Sequence, residues 1–270
     1  MIFDDRACTL GEGPLWHPER AQLFWFDIQA KRLMTREGGK PRHWQFDHHV
    51  SAAGWVDHDT LLIASEVELF RFDLTTGARD HIAPLEADEP VTRSNDGRAD
   101  PFGGFWIGTM GKELEPEAGA IYRFYKGQVE VLYQDITISN AICFAPDGRT
   151  AYYTDTPTGI VMRQALDGEG WPDGAAEPFL RVDHPDGAVV DAEGCLWIAQ
   201  WGKGRVLRYG PEGNLISHID LPASQVTCPD FGGTTLHVTS AAEGVEETDG
   251  GKTFAVDVGI QGQSEHRVIL

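Results

Sequence analysis

Arg93-Ser-Asn-Asp-Gly-Arg-Ala-Asp-Pro-Phe-Gly-Gly-Phe-Trp-Ile-Gly-Thr-Met110 sets four ionisable side chains and an asparagine beside a tight turn and an aromatic run. It reads as one module. Asn95 to Ala99 starts a strand, Asp100-Pro101-Phe102-Gly103-Gly104 carries residues that preset or free the backbone, and Phe105 to Thr109 suits a buried second strand.

The module recurs along the chain. Asn140 to Ala145, the turn Pro146-Asp147-Gly148-Arg149 and Thr150 to Asp155 repeat it, as do Asp186 to Val190, Ala192-Glu193-Gly194 and Cys195 to Ala199. Glu12 to Trp16 followed by Ala21 to Phe26 is a further copy, and weaker ones run from Ala52 to Ala64 and from Thr227 to Ser240. Each copy is followed by a third strand-like run, such as Arg205-Val-Leu-Arg-Tyr209. The six units open at positions 12, 52, 95, 140, 186 and 227, spaced by 40, 43, 45, 46 and 41 residues. Propeller blades repeat at roughly 40 to 50 residues. The spacing therefore predicts an all-β, six-bladed propeller of four-stranded antiparallel blades, with residues 1–270 forming a single domain. No run shows a helical apolar period. Either residues 1–10 or Glu265 to Leu270 is expected to close the ring by pairing with a terminal blade, which removes exposed edges.

Composition narrows the function. With 41% hydrophobic residues, 31 glycines and 15 prolines, the chain can fill a core and supply many turns. Its net charge of −20 repels nucleic acid and anionic membranes, so neither is expected as a partner. The four cysteines, Cys8, Cys143, Cys195 and Cys228, show no CxxC spacing. Reduced, buried thiols in a cytoplasmic protein are the expectation. The first residues, Met1-Ile-Phe-Asp-Asp5, are acidic where a signal peptide is basic.

In a propeller the first strand of every blade lines the central axis. Glu12, Asn95, Asn140 and Asp186 hold the same place in four units, so the repeat predicts that they meet at one mouth of the channel. Two acids and two amides gathered there call for a compensating cation. Carboxylates and an amide carbonyl are hard oxygen ligands that suit Ca²⁺, Mg²⁺ or Mn²⁺ and accept Fe²⁺ or Zn²⁺. For any one residue a turn or strand-capping role is the simpler reading; agreement across four aligned positions favours a site.

Gly11-Glu12-Gly13-Pro14-Leu15-Trp16, Arg93-Ser94-Asn95-Asp96-Gly97 with Gly108-Thr109-Met110, Ile138-Ser139-Asn140, and Pro185-Asp186-Gly187 with Leu196 to Ala199 resemble the signature segments of the SMP-30/gluconolactonase/regucalcin-like family. The resemblance spans nearly the whole chain. It implies a six-bladed propeller that hydrolyses a sugar lactone with one divalent cation, Ca²⁺ first and Zn²⁺, Mn²⁺, Mg²⁺ or Fe²⁺ as the others. It further implies Glu12, Asn140 and Asp186 as metal ligands, and Arg93, Asn95 and Glu113 as substrate contacts. Asp186 is the expected proton acceptor. The expected substrate is a 1,4- or 1,5-lactone of a pentonic or hexonic acid.

Other features are assigned plainer roles. Gly251-Lys252-Thr253 lacks the upstream glycine of a phosphate loop and reads as a strand entry. His48 and His49 are expected on the surface or the pocket wall, with a catalytic role as the second option. Trp16, Trp25, Trp106 and Trp197 are expected to pack between blades. Two rival functions stand beside the lactonase: a propeller hydrolase acting on other esters or organophosphates, and a non-catalytic calcium-binding propeller.

Overall fold

Twenty-four strands group by hydrogen bonding into six antiparallel sheets of four in a computed structural model that describes all 270 residues. The inner strands of blades one to six are β2 (Gly11–His17), β6 (Val50–Asp57), β10 (Thr92–Ala99), β14 (Ser139–Phe144), β18 (Pro185–Val190) and β22 (Val226–Gly232). These strands are mostly buried, the polar β10 included, whereas an outer strand such as β21 (Leu215–Asp220) is largely exposed. The sole helical element is a 3₁₀ turn at Thr156–Thr158. No helix is long and apolar enough to cross a membrane.

The ring is closed from the N-terminus. β1 (Ile2–Asp4) pairs with β24 (Thr253–Asp257) and completes blade six, the expected alternative at residues 1–10. The C-terminal tail forms no blade strand. It crosses the channel end opposite the inner-strand starts, touching the turns of five blades. Val258 donates its backbone N–H to the Thr234 carbonyl, Ala192 donates to Gln261, Gln263 Nε2 to Phe144, Ile269 to Gly103 and Val268 to Trp55. Val268 is fully buried, and a Cβ at Gly54 would stand 2.4 Å from its Cγ2, so only glycine admits the tail there.

Trp25, Trp106 and Trp197 are fully buried, and Trp16 stacks on His237 at 5.3 Å. All four cysteines are free and buried. Two blades share a second internal support. In blade three the turn carboxylate of Asp100 accepts from the Phe102 and Gly104 backbones and pairs with the fully buried Arg123; in blade five Asp191 accepts from Glu193 and Cys195 and pairs with Arg208. Asp191, Glu193 and Cys195 cluster closely enough to suggest a cation site. Arg208 already pairs with both acids, and the recurrence in blade three identifies a turn-bracing device.

Candidate active site

Each inner strand carries a register shift at its channel-mouth end: between Glu12 and Leu15, Ser94 and Gly97, Asn140 and Cys143, and Pro185 and Ala188. A bulge leaves a residue unpaired and re-aims its side chain, and here it turns the repeat's polar position into the channel. The residue after Glu12 is Gly13 at φ 52, a left-handed conformation natural to glycine. After Asn140 the same conformation is imposed on Ala141, at φ 56, at a cost of roughly 1–2 kcal/mol. The backbone is strained where it presents Asn140.

Glu12, Arg93, Asn95, Asn140 and Asp186 line one cavity of about 230 Å³. Every one of them is buried. A polar relay fixes the amides. Arg93 Nη1 donates to Asn95 Oδ1 at 2.8 Å, Asn95 Nδ2 donates to Asn140 Oδ1 at 3.2 Å and to the Ser139 carbonyl at 2.8 Å, and Asn140 Nδ2 donates to Thr156 Oγ1 at 2.9 Å. Thr156 in turn donates to the Pro185 carbonyl, one residue before Asp186. Asn140 therefore keeps its carbonyl oxygen on the Asn95 side, away from Thr156.

The carboxylates are electron-rich and poorly compensated. Burial, then repulsion from Asp96, raises the Glu12 carboxyl to about 8, although the Gly13 N–H donates to it at 2.9 Å. Burial, with Glu12 and Asp96 beside it, holds Asp186 well above the usual carboxylate range. Asp96, behind them, is raised to about 6 by burial. Arg93 is the one cation on the cavity wall, and burial lowers it to about 10 despite the neighbouring acids. Two buried carboxylates and an oriented amide oxygen with a single nearby cation form a donor set that fits a hard divalent ion.

The structure differs from expectation at Glu113. A turn closed by the Leu114 N–H on the Gly111 carbonyl, with Leu114 at φ 62, sends Leu114 onto the cavity wall. Glu113 is left exposed, its backbone N–H on Glu115. His48 and His49 stay outside the cavity and bond through Nδ1 to Glu66, which also takes Lys112 Nζ at 2.6 Å. Burial opposes the charge of Glu66, yet the Lys112 and His49 bonds pull it down to about 2.

Among the wall residues that were not anticipated are Thr156, Trp201 and Glu243. Thr156 lies near Thr154, the partner of Asn140 across the β14–β15 pair (β15, Thr150–Asp155), so pairing the strands would have pointed to it. Trp201 and Glu243 stand on loops outside the repeat and leave no such signal. With Leu10, Met110, Ile138 and Leu114, Trp201 makes part of the wall apolar.

A six-bladed propeller with an acid and amide set at one mouth of its channel defines a class of propellers with a polar channel site. Residues 10–242 match the SMP-30/Gluconolactonase/LRE-like region, and the chain belongs to that family. It is 39% identical to a Rhizobium meliloti (strain 1021) protein provisionally named sugar lactone lactonase, over 97% of this chain and 95% of the relative. It is 32% identical to the 6-deoxy-6-sulfogluconolactonase of Pseudomonas putida, over 95% and 94%. Among solved structures, the calcium-binding protein regucalcin of Agrobacterium tumefaciens superposes with a TM-score of 0.97 at 38% identity, covering 100% of this chain and 97% of that one.

Proposed function

We propose that the chain is a lactonase that opens a 1,4- or 1,5-lactone of a pentonic or hexonic acid to the free acid, with one divalent cation, Ca²⁺ first, held by Glu12, Asn140 and Asp186. The observation that carries the reading is the meeting of these three side chains with Arg93 and Asn95 on one cavity wall. A volume of about 230 Å³ suits a single sugar ring, below the roughly 300–1,000 Å³ of pockets for drug-sized ligands. The wall mixes polar and apolar side chains, as a ring with hydroxyl edges and C–H faces requires.

When bound, the cation would polarise the lactone carbonyl and offset charge developing on its oxygen. Arg93 donates to ring hydroxyls, and the relay through Asn95, Asn140 and Thr156 keeps the amides from turning. Asp186 accepts the proton of the water whose oxygen adds to the lactone carbon. The carbon–oxygen bond of the ring then breaks, the former ring oxygen leaves as a hydroxyl, and the product is an aldonic acid. Four free, buried thiols support a reducing compartment, and we place the protein in the cytoplasm.

The test is acid release from a panel of aldonolactones by protein stripped of metal and then supplied with single divalent ions. Turnover of pentono- or hexonolactones that returns with a cation supports the reading. Cation binding without turnover of any lactone points to a binding propeller, and turnover without added cation overturns the metal role.

A further inference from the structure

The cavity wall bears three carboxylates, Glu12, Asp186 and Glu243, against the single guanidinium of Arg93. A divalent ion on the Glu12, Asn140 and Asp186 set would bring the wall to a formal charge of zero. Glu243 is the acid outside that set. It is exposed, and it follows the last residue of β23 (Thr235–Ser240) by three positions. Leu114 is likewise exposed and Trp201 partly so, which places the three at the mouth.

We propose that Glu243 is a specificity-determining residue that makes the cavity take uncharged lactones and turn away those with a phosphate, sulfonate or carboxylate at the far end of the sugar. The inference rests on the lactonase reading. A lactone whose carbonyl faces the buried Glu12, Asn140 and Asp186 extends its exocyclic carbons outward, toward the rim where Glu243 stands. A terminal hydroxyl finds an acceptor there. A terminal anion meets a like charge on a wall that has no cation left to spare, and the chain's overall charge of −20 acts in the same sense. Two like charges about 6 Å apart disfavour the complex by about threefold in bulk water and about 100-fold at an effective dielectric of about 20.

The experiment compares kcat/KM of the cation-loaded wild type, Glu243→Gln and Glu243→Lys on glucono-1,5-lactone and on its 6-phosphate. The readout is the ratio between the two substrates, so a general loss of activity cancels. The wild type is expected to favour the neutral lactone, Glu243→Gln to narrow the ratio by about 3- to 100-fold, and Glu243→Lys to narrow it further or invert it. Raising salt to about 1 M should pull the three ratios together, since charges are then screened within about 3 Å. Equal use of both lactones by the wild type overturns the inference and leaves the lactonase reading standing. So does a ratio unmoved by Glu243→Gln, which keeps the side chain's size. If the wild type opens no lactone under any cation, the lactonase reading fails and the inference falls with it.

Discussion

Asp186→Asn separates what the site needs for chemistry from what it costs the fold. In the metal-free protein, burial, Glu12 and Asp96 hold the Asp186 carboxyl well above its ordinary value of 3.8. The folded state then keeps a proton that the unfolded state releases, so stability falls as pH rises from about 3.8 toward the folded value. Asparagine does not titrate. Metal-free Asp186→Asn should therefore be more stable than the wild type at pH 7, with a higher Tm, and the gain should vanish as the pH falls to about 3.8. With saturating cation the same variant should lose about 10²- to 10⁴-fold in kcat, because the amide keeps a ligand oxygen and loses the proton acceptor. Differential scanning calorimetry at pH 4 and 7, paired with acid release at rising cation, measures both. A metal-free variant less stable than the wild type at pH 7 would refute the electrostatic account, and full recovery of kcat with excess cation would leave Asp186 a ligand only.

Glu12→Gln should weaken cation binding by at least about tenfold in calorimetric titration while the Gly13 contact and the fold persist; unchanged affinity would make Glu12 a strand cap. Arg93→Ala should lower kcat/KM for hydroxylated lactones by about tenfold or more and spare a simple unsubstituted lactone, and equal losses on both would mark the residue as structural. Burial lowers His237 from 6.5 to about 4, so between those values the unfolded state gains a proton that the folded state refuses and about 3 kcal/mol is lost on acidification. His237→Phe should flatten that limb of the stability profile in urea titrations from pH 7 to 4. Arg98 is buried between Asp230 and Glu265, so Arg98→Met, which leaves two buried carboxylates without their cation, should cost about 3 kcal/mol or more and lower Tm by about 6 °C or more, with an unshifted transition showing these ion pairs to be idle.

What the sequence made legible depended on the repeat. Glu12, Asn95, Asn140 and Asp186 occupy one position of a recurring strand, and a closed ring of equal blades turns equal position into proximity. The bulges follow the same position in these four blades, so the re-aiming is itself part of the repeat. Glu243 and Trp201 lie on loops whose lengths differ from blade to blade, where no alignment within the chain assigns them a direction. Glu113 shows the same difficulty in reverse: a single left-handed residue, Leu114, decides which of two neighbours reaches the cavity. Which terminus closes the ring stayed open for a different reason. Val268 and Ile269 suit a strand by type, but their partners are Gly54 and Gly103, whose missing side chains form sockets visible only once the blades are assembled.

The tail also bears on the site from below. Asp96 and Arg98 both lie on β10 and both are buried, and the Arg98 guanidinium pulls the Asp96 carboxyl down against the effect of its burial. Arg98 spans the channel, reaching Asp230 Oδ1 of blade six at 3.2 Å and the Ala188 carbonyl of blade five at 3.5 Å, and Glu265 of the tail closes on the same guanidinium. Two carboxylates thus claim the charge of Arg98, which would otherwise act more fully on Asp96, the acid that repels both Glu12 and Asp186. By docking Glu265, the tail places a second carboxylate on the guanidinium at the sealed end. The segment that forms no blade therefore adds a buried carboxylate to the sealed end of the channel.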